Sequence, residues 1–177
     1  MKSIVSSFVV FVAFVAFAMI APVHAQGSGM TDAHIASIKT NCPLALGTLG
    51  RIHVNDAPQF INSNQTYFSI GDKLMAHLNS RLTLNKYDAS MLVKTASDFN
   101  DALSNYRSVY KSYEEMMSQL VRIDCQRAPV TFYDNVAAAR EQRAEVHTAV
   151  VRLHELLKQY REDVKTFSAE NLEATNG

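Results

Sequence analysis

One run of aromatic and sulfur-containing side chains has the residue types of a binding site: Tyr106, Tyr110, Tyr113, Met116 and Met117. Tyrosine and methionine on one helical face can line an adaptable groove for a peptide, a lipid or a glycan. The same spacing also suits a bundle core, where each buried phenol needs a hydrogen-bond partner. We expect core packing first, with the polar stretch 62–65 opposite, and keep these five residues as a candidate binding seam.

Residue patterns for catalysis or metal binding are missing from the sequence. No two histidines after residue 25 have the (i, i+4) spacing of a helical zinc pair, and neither a Cys-x-x-Cys-His nor a Glu-x-x-His motif occurs. His147 and His154 share one helical face, where we expect surface histidines. Glycine-rich phosphate loops and serine elbows are also missing. The sequence therefore predicts no catalytic residue, no metal ligand, no cofactor and a protein that is not an enzyme.

Cys42 and Cys125 are the two cysteines of the chain. Their midpoint falls between Thr83 and Leu84, beside the turn-like stretch 84–88. An antiparallel helical hairpin folded there would place the two sulfurs opposite each other. This symmetry predicts a structural disulfide between Cys42 and Cys125, in preference to a catalytic or redox pair.

The N-terminus has the pattern of a secretory signal peptide. Lys2 precedes an apolar run over 4–20, and small residues follow up to Ala25. We interpret residues 1–25 as a signal peptide, with an uncleaved membrane anchor as the alternative, and residues 26–30 as a flexible lead. The expected location is secreted or extracytoplasmic, in the cell envelope.

The chain after residue 25 is long enough for one domain with a moderate core. Its net charge of about −1 provides no overall electrostatic attraction for a polyanion, so we expect no nucleic-acid partner. Contact with a membrane is expected only through an uncleaved N-terminal segment. A protein or another cell-envelope component is the expected partner, and a homo-oligomer stays open.

Apolar periodicity predicts an all-α fold, an elongated antiparallel three-helix bundle like a coiled-coil rod. After Asp88, a good N-cap, a seam with steps of four and three residues runs through nine positions: Leu92, Ala96, Phe99, Leu103, Tyr106, Tyr110, Tyr113, Met117 and Leu120. This seam predicts a middle helix over 88–124, because its stripe is wide enough for two neighbours.

The other two helices are less regular. The third is predicted over 129–168, with a seam that includes Val150, Leu157 and Val164 and is interrupted only by Arg143. Arg143 could pair with an acid on a neighbouring helix or extend its head into water. The first helix is predicted over 31–84 with possible breaks at about 42 and 57, and whether it continues through Pro43 and Pro58 stays open. The tail 171–177 should fray.

Several short runs carry a family resemblance. Residues 123–134, with Ala139-Arg140, Val146-His147, Leu74-Met75 and 78–81, resemble small secreted all-helical proteins from candidate-phylum bacteria, a family with no known activity. The resemblance covers most of the chain after residue 25, and Pro43 departs from it. It implies export and a disulfide and assigns no site residue.

The function expected from these patterns is a non-enzymatic extracytoplasmic helical scaffold or interaction protein. The alternative is a small-molecule or lipid carrier that uses a cavity along the tyrosine and methionine seam. A carrier requires an enclosed apolar cavity of several hundred Å³, within the range of ligand pockets, and a ligand that co-purifies. A scaffold requires an exposed apolar patch or a defined oligomer.

Overall fold

The structure, a computed structural model that describes residues 29–173, is an antiparallel bundle of three helical arms, as predicted. The first arm comprises α1 (Asp32–Ser69), a π-helical segment (Ile70–Met75) and α2 (Ala76–Leu84); the second is α3 (Ser90–Leu120) and the third is α4 (Pro129–Ser168). At 40 residues, α4 is about 60 Å long. Within residues 29–173, no helix has both the length and the apolarity needed to cross a membrane. The predicted signal peptide lies outside the described residues.

The first arm does not break at either predicted position, because α1 is continuous through Pro43 and Pro58. A proline inside a helix leaves the carbonyl four residues earlier without its donor. At Pro43 that carbonyl belongs to Lys39, and the side-chain amide of Gln126 donates to it at 2.7 Å. Pro58 lies on the exposed side of the helix, where water can reach the freed carbonyl. Contacts with the rest of the bundle and with solvent therefore offset the cost of both prolines.

The irregularity of the first arm lies instead in the π-helical segment, Ile70–Met75. Gly71 is buried there against α3. A Cβ atom at this position would lie 2.9 Å from Asn100 Oδ1 and 3.3 Å from Phe99 Cε1. The absence of a side chain at Gly71 therefore allows the first arm to approach α3 closely, at a π-turn of the kind that locally interrupts regular α-helices.

The seam of α3 is confirmed at every position. All nine residues from Leu92 to Leu120 in the predicted pattern are buried. The helix is shorter than predicted, beginning at Ser90 and ending at Leu120. Asp88 still acts near the start, because its carboxylate accepts the backbone N–H of Ser90 at 3.0 Å.

The stripe of α4 departs from its predicted positions in the second half of the helix. Ala149, Leu156 and Asp163 are buried, whereas the predicted Val150, Leu157 and Val164 are half-buried. The buried face therefore includes the residue that precedes each of these three predicted positions, while the predicted Leu153, Tyr160 and Phe167 are buried as expected. After Ser168, the predicted end of the helix, a π-turn over Ala169–Glu173 continues into the first residues of the tail that was expected to fray. Residues 174–177 of that tail lie outside the described residues.

The Cys42–Cys125 disulfide closes the bundle at the end opposite the α2–α3 turn. Its Cα atoms are 5.8 Å apart, and both cysteines are buried. Asp124 shapes the loop that presents Cys125, because its carboxylate accepts the backbone N–H groups of Gln126 and Arg127 at 3.0 and 3.2 Å. The disulfide thus joins the first arm to the loop between α3 and α4.

A polar network ties the three arms together near the other end. The Tyr160 hydroxyl donates to Asn79 Oδ1 at 2.8 Å, and Asn79 donates to the Leu92 carbonyl at 3.2 Å. Beside it, Thr95 donates to the buried Asp163 carboxylate at 2.6 Å. These buried polar groups satisfy one another, so this end of the bundle is closed and well specified.

Candidate functional site

An apolar groove of about 690 Å³ separates the first half of α1 from the first half of α4. We call it the α1–α4 groove. Its walls include Ile38, Ala45 and Leu49 of α1 and Phe132, Val136 and Ala139 of α4, and its floor is Tyr113 and Met117 of α3. On the rims, the side chains of Leu44 and Tyr133 are 71% and 54% exposed. The volume lies in the range of small-molecule sites, the groove is open to solvent between its rims, and most of its lining is apolar.

A second cavity of about 560 Å³ adjoins the groove along the same helix pair. We call it the tyrosine cavity, because Tyr106, Tyr110 and Tyr113 line it together with Phe60. The rings of Phe60 and Tyr110 are stacked, with centroids 3.7 Å apart and planes inclined by 4°. The tyrosine cavity therefore offers an aromatic wall with phenol hydroxyls, whereas the groove is lined by a mixture of aliphatic and aromatic side chains.

An ion pair marks the boundary between the two cavities. Arg143 of α4 reaches across to Asp56 of α1, with Nε and Nη2 each 3.3 Å from a carboxylate oxygen. The Tyr113 hydroxyl donates to the same carboxylate at 2.6 Å. The hydrogen bond to Asp56 raises the pKa of Arg143, while burial and the Asp56 carboxylate raise the pKa of Tyr113. At neutral pH this junction therefore contains a charged arginine, a carboxylate and a neutral phenol.

Two buried polar atoms near the junction lack hydrogen-bond partners among residues 29–173. They are the Tyr110 hydroxyl and Oε2 of Glu114. Burial, followed by the charges of Glu114 and Asp56, raises the pKa of Tyr110 to about 12, with a smaller contribution from Glu114 as a nearby hydrogen-bond acceptor. The Tyr110 hydroxyl and the Glu114 carboxylate therefore lie within reach of each other, although they do not meet in a well-formed hydrogen bond. The other oxygen of Glu114 is 2.7 Å from His53 Nε2. Unpaired buried polar atoms are uncommon, and here one of them belongs to a residue that lines a cavity.

The structure divides the five seam residues predicted from the sequence. Tyr106, Tyr110, Tyr113 and Met117 are buried and belong to the hydrophobic core, as expected. Tyr113 and Met117 are also the floor of the groove, while Met116 is half-buried and lines neither cavity. Core packing and cavity lining, which are alternatives at the level of the sequence, therefore coexist on one helix face.

The histidines do not assemble into a site. Among the described residues, no group of three or more histidine, cysteine, aspartate or glutamate side chains is arranged to hold a metal ion. His154 is exposed, but its Nε2 lies 2.9 Å from the Tyr67 hydroxyl. His154 thus partners a phenol of the first arm, which the sequence did not predict, while His147 lies at the edge of the tyrosine cavity.

A separate apolar surface follows α1 outside both cavities. Val54, Ile61 and Phe68 recur every seven residues and are 70%, 60% and 48% exposed. We call these three residues the outer α1 stripe. The Arg107 guanidinium lies 5.8 Å from the centroid of the Phe68 ring and covers part of it.

Asp56 is a site residue that the sequence did not predict. The hairpin register that was used to place the polar stretch 62–65 opposite Tyr106 also places Asp56 opposite Tyr113. Arg143, which interrupts the α4 seam, was the available signal that a charge from another helix lies at this level. The ion pair with Asp56 identifies that charge.

Comparison with known proteins provides no relative from which a function could be transferred. No protein-family model, curated protein or solved structure matches this chain. The assignment of a function therefore depends on the α1–α4 groove and on the charged junction beside it.

Proposed function

We propose that this protein is a non-enzymatic extracytoplasmic carrier that holds a small amphipathic molecule in the α1–α4 groove. The observation that carries the proposal is the groove itself, about 690 Å³ of largely apolar space with buried aromatic and sulfur-containing side chains as its floor. Burial of an apolar chain there would contribute about 25 cal/mol for each Å² of surface removed from water. The polar junction at one end of the groove supplies an orienting element, which apolar pockets commonly contain.

The extracytoplasmic location is supported by the disulfide. Cys42 and Cys125 are both bonded, and disulfides persist mainly in oxidising compartments. The signal-peptide pattern of residues 1–25 predicts the same route. Export could be tested by N-terminal sequencing of the mature chain, which should begin just after Ala25.

Native mass spectrometry of the exported protein tests the carrier function. The protein purified without detergent should retain a small molecule of defined mass, which organic extraction releases. Ala45→Trp fills the groove from α1 and should abolish retention. Ala76→Trp, at an exposed position of α2 that lines neither cavity, is the matched control and should retain the ligand. A single unliganded mass that persists after incubation with lipid extracts would contradict the proposal.

A scaffold or interaction protein is the second candidate, favoured by the outer α1 stripe. Three exposed apolar side chains at seven-residue spacing form a straight face, the usual contact of a helix with a partner helix. Ile61→Lys places a charge at the centre of this face without entering the core. It should remove crosslinks to a partner, or dissociate an oligomer detected by light scattering. A strict monomer without crosslinks at this face would eliminate the scaffold.

A further inference from the structure

We infer that the ligand of the groove is a single-chain amphiphile with an anionic carboxylate head, such as a fatty acid, with its head at Arg140 and Arg143 and its chain along the groove toward the disulfide. This inference rests on the proposed carrier function and adds the chemical class of the ligand. The inference specifies the head group and the direction of the chain, for any chain length that the groove accepts.

The charges that line the two cavities favour an anion. Apart from tyrosines, four titratable side chains line the cavities. Arg140 and Arg143 line both, whereas Asp56 and His147 line only the tyrosine cavity. Asp56 already accepts hydrogen bonds from Tyr113 and Arg143. Arg140 lines both cavities and makes no ion pair within the described part of the chain. Among the lining residues, two guanidinium groups thus face one occupied carboxylate, while Glu114, beside Tyr110, lies outside both linings and contacts His53 at 2.7 Å. A guanidinium binds a carboxylate with matched geometry, and Arg140 is the one with no ion pair of its own.

The position of the arginines determines the orientation of the ligand. Both lie at the junction, whereas the groove between the junction and the disulfide end is lined by apolar side chains such as Leu49, Val136 and Phe132. An apolar chain that entered this part would be desolvated on three sides, by α1, α3 and α4. Its head would then remain at the level of Arg143, whose side chain is 58% exposed and accessible from solvent.

The Tyr110 hydroxyl provides an independent observation at the same place. Tyr110 is 8% exposed, lines the tyrosine cavity and has no hydrogen-bond partner among residues 29–173. A phenol with its pKa raised to about 12 keeps its proton at neutral pH and can donate to an acceptor or act as a weak acceptor itself. Its available acceptors are the neighbouring Glu114 carboxylate and, when a ligand head reaches past the Asp56–Arg143 pair, an oxygen of that head.

Binding of three probes with the same alkyl chain tests the carboxylate head group separately from the carrier function. Isothermal titration calorimetry of the delipidated full-length mature protein would use laurate, lauryl alcohol and dodecyltrimethylammonium, all below their micellar concentrations. We expect laurate to bind about tenfold more tightly than the alcohol, since charge-assisted hydrogen bonds are worth about 1.5–3 kcal/mol before solvent screening. The cationic probe should bind most weakly, and added salt should weaken only laurate.

Arginine variants assign the head group to the junction. Arg140→Gln should weaken laurate about threefold to fivefold and leave the alcohol unchanged, since exposed pairs contribute up to about 1 kcal/mol. Arg143→Lys keeps the charge near Asp56 but loses the bidentate geometry, and should also weaken laurate selectively. Arg152→Gln is the matched control, because Arg152 is a comparably exposed arginine of α4 that lines neither cavity. It should change nothing.

The possible outcomes distinguish failure of the inference from failure of the carrier function. Equal affinity for laurate and lauryl alcohol, or a preference for the cationic probe, would overturn the carboxylate inference and leave the carrier function standing. Loss of alcohol binding in Arg140→Gln would show that the arginine supports the groove and not the head group. Absence of binding by all three probes, with the fold intact by circular dichroism, would overturn both proposals.

Discussion

The disulfide holds one wall of the groove in place, and its removal should act on that wall independently of the rest of the bundle. Within residues 32–52 the one buried side chain is Cys42; Ile38, Ala45 and Leu49 are only half-buried. Beyond this segment, α1 is anchored by the Asp56 carboxylate, which accepts the Tyr113 hydroxyl at 2.6 Å, and then by Phe60, stacked on Tyr110. The N-terminal half of α1 should therefore open locally while α3 and α4 stay packed.

The double variant Cys42→Ala/Cys125→Ala should lower two free energies by different amounts, that of global unfolding and that of local opening of the α1 wall. For global unfolding the bond spans a sequence separation of 83, and the chain-entropy model gives about 4.5 kcal/mol. For local opening the freed chain runs only from Cys42 to Asp56, about 14 residues, for which the same model gives about 3 kcal/mol. Amides of residues 36–52 should therefore exchange about two hundredfold faster in the variant.

Hydrogen exchange under rapid-reclosing conditions, combined with urea unfolding, measures both quantities. The free energy of exchange should fall by about 3 kcal/mol in residues 36–52 and by about 4.5 kcal/mol for the slowest amides of α3 and α4, in agreement with urea. An equal loss in both regions would show that the wall opens only with the whole protein. No loss in residues 36–52 would refute the view that the disulfide holds this wall.

Three further predictions concern packing, pH and the junction. Gly71→Ala should lower the free energy of unfolding by about 1 kcal/mol in urea titrations, because the cost of overpacking against α3 exceeds the gain in helix propensity. Gly47→Ala has open space around it and should raise the free energy of unfolding by about 0.5–1 kcal/mol. Stability should fall between pH 10 and pH 12, since unfolded tyrosine loses its proton near 10 and folded Tyr110 near 12; Tyr110→Phe should reduce this fall in urea midpoints. Asp56→Ala should cost about 1–3 kcal/mol by leaving the buried Tyr113 hydroxyl unpaired, and adding Tyr113→Phe should recover part of that loss in a double-mutant cycle.

The parts of the fold that the sequence predicted are those governed by local periodicity. The α3 seam repeats in steps of three and four without interruption, and each of its positions is buried. The disulfide followed from the symmetry of Cys42 and Cys125 about the turn. Both inferences require only that helices be regular and antiparallel, so they did not depend on side-chain detail.

The parts that were wrong or missed depend on contacts between helices. Pro43 does not break α1, because Gln126 from a distant loop satisfies the carbonyl of Lys39. The π-helical segment coincides with the close approach of Gly71 to Phe99. No local sequence pattern indicates this contact between helices. The groove likewise depends on the separation of α1 from α4, a distance that periodicity does not encode.

The two interfaces of α4 differ in the kind of side chain that they contain, and this difference explains why the cavities lie where they do. Toward α3 the core is continuous, and Val146 and Phe60 contact both of its hydrophobic clusters. Toward α1, a seam position is occupied by Arg143, which cannot enter an apolar core and instead pairs with Asp56 across the gap. The charged residue that interrupts the seam therefore spans the gap between α1 and α4, at the level where the groove meets the tyrosine cavity.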